Sequence, residues 1–144
     1  MKKSFTMLEL IFVVVVLGIL AAIAIPKFFG VAQHAHEANL VSFVKTLNRT
    51  TGEDLWGLSI SNGHHGSIKI YSSILEHINV PEELNTTDIN LSNCGTGIYA
   101  PVAYATRETA GKNYVILCKD GTDITAPYFK LIRLEDNKTL VSRD

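Results

Sequence analysis

The stretch SFTMLELIFVVVVLGILAAIAIPKF, residues 4–28, decides how the rest of the chain is read. From Phe5 to Ile25 its clearly polar residues are Thr6 and Glu9. A helix over that span is ~30 Å long at about 1.5 Å per residue, which matches the hydrocarbon thickness of a bilayer. Lys2 and Lys3 precede it. Positive charge is retained on the cytoplasmic side, so the chain after Pro26 is expected outside, although Lys27 opposes this weakly. Glu9 is out of place in such a segment. An acid on an apolar helix costs roughly 2.5–3.5 kcal/mol at mid-bilayer and less near the interface.

Three readings compete. One is a cleaved secretory signal, with Met1–Lys3 as its basic region and Ala22-Ile23-Ala24 as its cleavage site. A second is an uncleaved signal anchor carrying a periplasmic binding or enzymatic domain. Neither gives Glu9 a role. The third uses every odd residue. Phe5, Thr6, Leu8 and Glu9, then the apolar run, Gly18 and Pro26, resemble the prepilin N-terminus of type IV pilins and type II secretion pseudopilins.

The resemblance implies a short leader, residues 1–4, removed by a prepilin peptidase on the cytoplasmic face. It implies a methylated new N-terminus at Phe5, and a pairing of Glu9 with the free amine of a neighbouring subunit. The family usually has glycine before the cut, and here Ser4 stands there. Phe5 and Glu9 are spaced i, i+4 and share a helix face, so a staggered neighbour can satisfy both charges. Gly18 and Pro26 weaken the helix ladder. Pro26 either ends the span or kinks a helix that continues, as the family suggests.

Past Pro26 the composition is that of a water-soluble domain. Phe28, Val31, Ala32, Ala35, Ala38, Leu40, Val41, Val44 and Leu47 form an apolar stripe, which predicts an amphipathic helix to Thr51 with Gly52 as its stop. Residues 52–66 read as a loop. Strands are predicted at Ser67–Tyr71, Ile98–Thr106, Asn113–Lys119, Tyr128–Glu135 and Thr139–Ser142, and a helical turn at Ile74–Ile78. Asp120-Gly121 and residues 135–138 read as turns, and Pro127 as a strand start. The expected class is α+β, a long kinked N-terminal helix whose second half packs on a small antiparallel sheet. The expected divisions are leader 1–4, membrane and fibre-core helix 5–26, head helix 27–51, and loop plus β head 52–144.

Two cysteines, Cys94 and Cys118, permit one disulfide in an exported chain and two thiols in a cytosolic one. A bridge between them resembles the C-terminal disulfide loop of many type IV pilins. The five histidines lack ligand spacing: His34 and His36 diverge on a helix, and His64-His65 lies in a glycine-flanked loop. They read as solvated, and no metal is expected. Asp120 and Asp123 read as turn residues, because a calcium site needs six or more oxygens. Asn48, Asn85, Asn90 and Asn137 fit N-x-[ST]. The last three also follow an acid by two positions, a form that resembles the acceptor of bacterial oligosaccharyltransferases. The opposing reading is that Asn, Thr and acids make turns.

A formal net charge of −1 gives no basic patch for nucleic acid. No phosphate loop, nucleophile elbow or zinc-protease motif is present in the sequence, so no enzyme and no cofactor are expected. The resemblance therefore implies a fibre subunit, pilin or pseudopilin, in the bacterial inner membrane with its head outside. Its implied partners are the prepilin peptidase, identical and related subunits, an inner-membrane assembly platform, and lipid before assembly.

Overall fold

The computed structural model describes residues 5–71, 74, 77–85 and 89–142. It forms two compact units, Met1–His34 and Ala35–Asp144. The first is helical. Helix α1 runs over Met7–Thr46, with Pro26 inside it rather than at its end. Its apolar side chains from Leu8 to Ile25 are exposed, and the helix is long and apolar enough to cross a membrane.

In the second unit, α1 is followed by a π-helical turn, Leu47–Thr51, and then by helix α2, Gly52–Ser61. Gly52 is therefore not a stop, and the first ten residues of the expected loop are helical. Its amide donates to the Leu47 carbonyl, and a Cβ there would meet that oxygen and lie 3.2 Å from the Phe129 ring. Glycine is needed for close approach, while its helical φ of −66° lets the helix continue.

Strands β1 (Ala100–Ala105), β2 (Tyr114–Lys119), β3 (Tyr128–Arg133) and β4 (Lys138–Val141) make one antiparallel sheet in that order. Helix α3, Arg107–Ala110, joins β1 to β2. Tyr114, Ile116 and Cys118 on β2, with Phe129 and Leu131 on β3, follow the period of two that turns alternate side chains to one face. They form one core with Leu40, Phe43, Val44, Leu47 and Leu55 of the helical segment. Burying each Leu, Ile, Val or Phe among them contributes ~1.5–3 kcal/mol.

Edge strand β1 carries Pro101 and a register break around Val102. The Val102 carbonyl accepts from the Asn90 amide at 3.0 Å, so a neighbouring segment satisfies part of that edge.

Ser67–Tyr71 is not a strand, since its residues form loop and turn. Asp120 contributes to this: its carboxylate accepts from the Ile68 amide at 2.9 Å, which takes that main-chain donor from any ladder, and from the Ser67 hydroxyl at 2.7 Å. Asp120 is accordingly buried, and its role exceeds that of a turn residue. The helical turn expected at Ile74–Ile78 lies partly outside the described residues.

Candidate assembly segment

Helix α1 begins with a local device. The Thr6 carbonyl accepts from the Leu10 amide at 3.2 Å, as an N-cap residue does. The Thr6 hydroxyl accepts from the Glu9 amide at 3.3 Å, while Glu9 Oε2 accepts from the Thr6 amide at 3.3 Å and its hydroxyl at 3.4 Å. This is a reciprocal capping box, T-x-x-E, and it satisfies otherwise orphaned amides at the helix start. A carboxylate in the first turn also complements the positive end of the helix dipole. Glu9 thus has a role inside its own chain that the apolar context obscured, though the spacing Thr6-x-x-Glu9 signalled it. Its second oxygen, Oε1, has no partner among the described residues.

Phe5 is exposed beside the box. Ser4 lies outside the described residues. A Cβ on Gly18 would meet open space, so no neighbour within this chain demands glycine there.

In the second unit Cys94 and Cys118 form a disulfide, with Cα atoms 4.8 Å apart. Both are buried. The next residue, Gly95, extends the link: its amide donates to the Cys118 carbonyl at 3.1 Å, and its carbonyl accepts from the Asp120 amide at 2.8 Å.

The helical segment is clamped to the sheet by polar groups. Asn48 is buried and bonds both main-chain groups of Phe129. Glu37 Oε2 accepts from Arg133 Nη1 at 2.9 Å and the Tyr114 hydroxyl at 3.0 Å. Arg133 also forms a fork to Asp136, with both bonds at 3.0 Å. This pairing holds the Asp136 carboxyl below its ordinary range. The Asn113 amide does the same for Glu135.

His36 departs from the solvated role expected of the histidines. Its Nδ1 lies 2.8 Å from Glu83 Oε1, which also accepts from Asn39 at 3.0 Å. Glu83 is 3% exposed, and its Oε2 is buried without a partner among the described residues. Burial opposes its charge, but the bonds from His36 and Asn39 outweigh it and lower its pKa. No grouping of three His, Cys, Asp or Glu among the described residues is placed to hold a metal ion.

Trp56 packs within this unit. Its indole donates to the Thr122 carbonyl at 2.7 Å. Gly66 has φ +77°, and a Cβ there would come within 2.6 Å of the indole nitrogen. His65 Nδ1 meets Asp123 at 3.0 Å on the surface.

The architecture is α+β and pilin-like: a long N-terminal helix and a four-stranded antiparallel sheet. No family model and no solved structure matches the chain. It is similar to the type IV narrow pilus major component PilA5 of Thermus thermophilus, 47% identical over 38 residues. That match covers 26% of this chain and 33% of the relative, so the chain spans a third of that protein's length. Over this part, the resemblance to type IV pilins read from the sequence is borne out.

Proposed function

We propose that the chain is a structural subunit of a type IV pilus-like fibre. It is inserted in the bacterial inner membrane with its head outside, cut after Ser4, methylated on Phe5, and assembled through its N-terminal helix. The observation that carries this reading is the exposed apolar surface of α1 directly behind the Thr6–Glu9 box. In lipid that surface is solvated by acyl chains. In a fibre it is covered by neighbouring helices, with Gly18 and Pro26 allowing local adjustment of the ladder. Glu9 Oε1 then receives the amine of a neighbour's Phe5. An intramembrane carboxylate calls for such a partner. Prepilin peptidase, an assembly platform and related subunits complete the partner set, and the role is mechanical rather than catalytic.

Between pilin and type II secretion pseudopilin, the Cys94–Cys118 bridge and the likeness to a pilus component favour pilin. N-terminal mass spectrometry of the mature protein tests the proposal. A start at N-methyl-Phe5 is expected. Retention of Met1, or a start after Ala24, would overturn it in favour of an anchored or secreted periplasmic domain.

A further inference from the structure

Three pentapeptides place an acid two residues before, and a hydroxyl residue two residues after, an asparagine: ELNTT, DINLS and EDNKT. The chain has 9 Asn, 21 Ser plus Thr and 14 acids in 144 residues. Independent placement gives about 0.13 such motifs (9 × 21/144 × 14/144), against the three present.

The structure sorts the four N-x-[ST] asparagines by what their amides already do. Asn48 is buried with both amide atoms bonded to Phe129. Asn90 caps the turn Leu91–Asn93. Its Oδ1 accepts from the Ser92 amide at 3.0 Å and from the Ser92 hydroxyl, so the asparagine and hydroxyl of that motif are bound to each other. At Asn85 the preceding acid is Glu83, buried and clasped by His36 and Asn39.

Asn137 differs. It ends the exposed turn between β3 and β4, at φ +52°, a left-handed conformation that asparagine tolerates. Its side chain makes no hydrogen bond among the described residues. Thr139 is exposed two residues on. Glu135, although it accepts from the Asn113 amide, keeps 29% of its side chain exposed. Residues 135–139 therefore present acid, amide and hydroxyl together on the surface.

We propose that Asn137 is an N-glycosylation site, receiving an oligosaccharide from a lipid-diphosphate-linked donor outside the membrane. Asn137 Nδ2 attacks the anomeric carbon of the first sugar. A C–N bond forms as the C–O bond to the diphosphate breaks. The amide loses one proton, and the lipid diphosphate leaves with the bonding electron pair. No oxidation state changes beyond this substitution. The proposal rests on the outward placement of the head given above.

The test is intact-mass and peptide mass spectrometry of the protein purified from the cells that naturally make it, beside Asn137→Gln and Thr139→Val made in the same cells. The expected native mass exceeds that of the processed, disulfide-bonded chain by a sugar mass located on Asn137. Both variants lose that mass completely. Thr139→Val keeps a β-branched residue in β4 and leaves Asn137 in place, so loss there reports the motif and not the turn. Circular dichroism confirms that both variants fold. A native chain at its bare mass overturns the proposal, as does sugar on Asn85 or Asn90 with Asn137 bare. The same spectra show where the chain starts. A start other than Phe5 counts against the pilin reading separately from any result at Asn137.

Discussion

The Asn48 side chain replaces a strand for Phe129: it donates to the Phe129 carbonyl at 2.9 Å and accepts from the Phe129 amide at 2.8 Å. The pairing of β4 with β3 begins at Leu131, leaving Phe129 outside that ladder. Asn48→Ala strands two buried main-chain groups, each costing about 1–3 kcal/mol. Asn48→Asp restores an acceptor for the amide but repels the carbonyl. Both variants should melt several degrees lower than the parent in thermal denaturation followed by circular dichroism. An unchanged midpoint for Asn48→Ala would remove the pairing from the account of stability.

Glu9 is predicted to serve two separable roles. Glu9→Gln keeps a side-chain acceptor for the capping box but loses the charge. Glu9→Ala loses both. Thr6→Ala weakens the helix start by about 0.5–2 kcal/mol while leaving the carboxylate in place. All three variants should still enter the membrane. Fibre yield, read by shearing and immunoblot, should collapse for Glu9→Ala and Glu9→Gln and fall modestly for Thr6→Ala. Normal yield from Glu9→Gln would mean that the cap, and not the charge, is what assembly requires.

The disulfide closes a separation of 24 residues. The chain-entropy model assigns such a closure roughly 3–4 kcal/mol. Cys94→Ser/Cys118→Ser should unfold at correspondingly lower denaturant concentration. Because both sulfurs are buried, the native protein should resist dithiothreitol until denaturant is added. Rapid labelling of both cysteines after reductant alone would contradict this.

Acid should loosen the second unit through specific carboxylates. Glu83, Glu135 and Asp136 are all held below their ordinary values of 4.5, 4.5 and 3.8. A depressed folded pKa means that the stabilisation is present above the unfolded value and lost as pH falls through the folded one. Stability should thus be flat in these groups above about pH 5 and decline below about pH 4. Glu83→Gln should flatten part of that decline, because it removes the buried charge while keeping a group for Asn39 to bond. A melting temperature indifferent to pH between 5 and 2 would refute the assignment.

The strands were legible because β2, β3 and β4 carry Val, Ile, Tyr and Phe between clear turns, and the observed ends fall within two residues of those expected. Gly52 misled because a stop and a close approach demand the same residue, and the close approach is to the Leu47 carbonyl in a π-helical turn, a geometry that the sequence pattern does not announce, with the Phe129 ring beside it. The SIKIY run has the composition of a strand, yet Asp120, distant in sequence, takes the Ile68 amide, and the Ser67 and Tyr71 amides bond turn carbonyls. His36 and Glu83 are 47 residues apart and share no local pattern. Thr6-x-x-Glu9 is a readable local motif, but in lipid-like surroundings an acid signals charge pairing as strongly as it signals a cap.

The guarded edge of β1 matters under crowding. The proposed fibre would hold many copies of one head at high local concentration, where bare strand edges invite pairing between copies and stacking into cross-β aggregates. Pro101 lacks an amide to offer, the break at Val102 interrupts the row, and Asn90 already occupies the Val102 carbonyl. At the opposite edge, β4 has only four residues. Heads built this way can be concentrated without their sheets fusing, which in the proposed fibre would leave order to the helices.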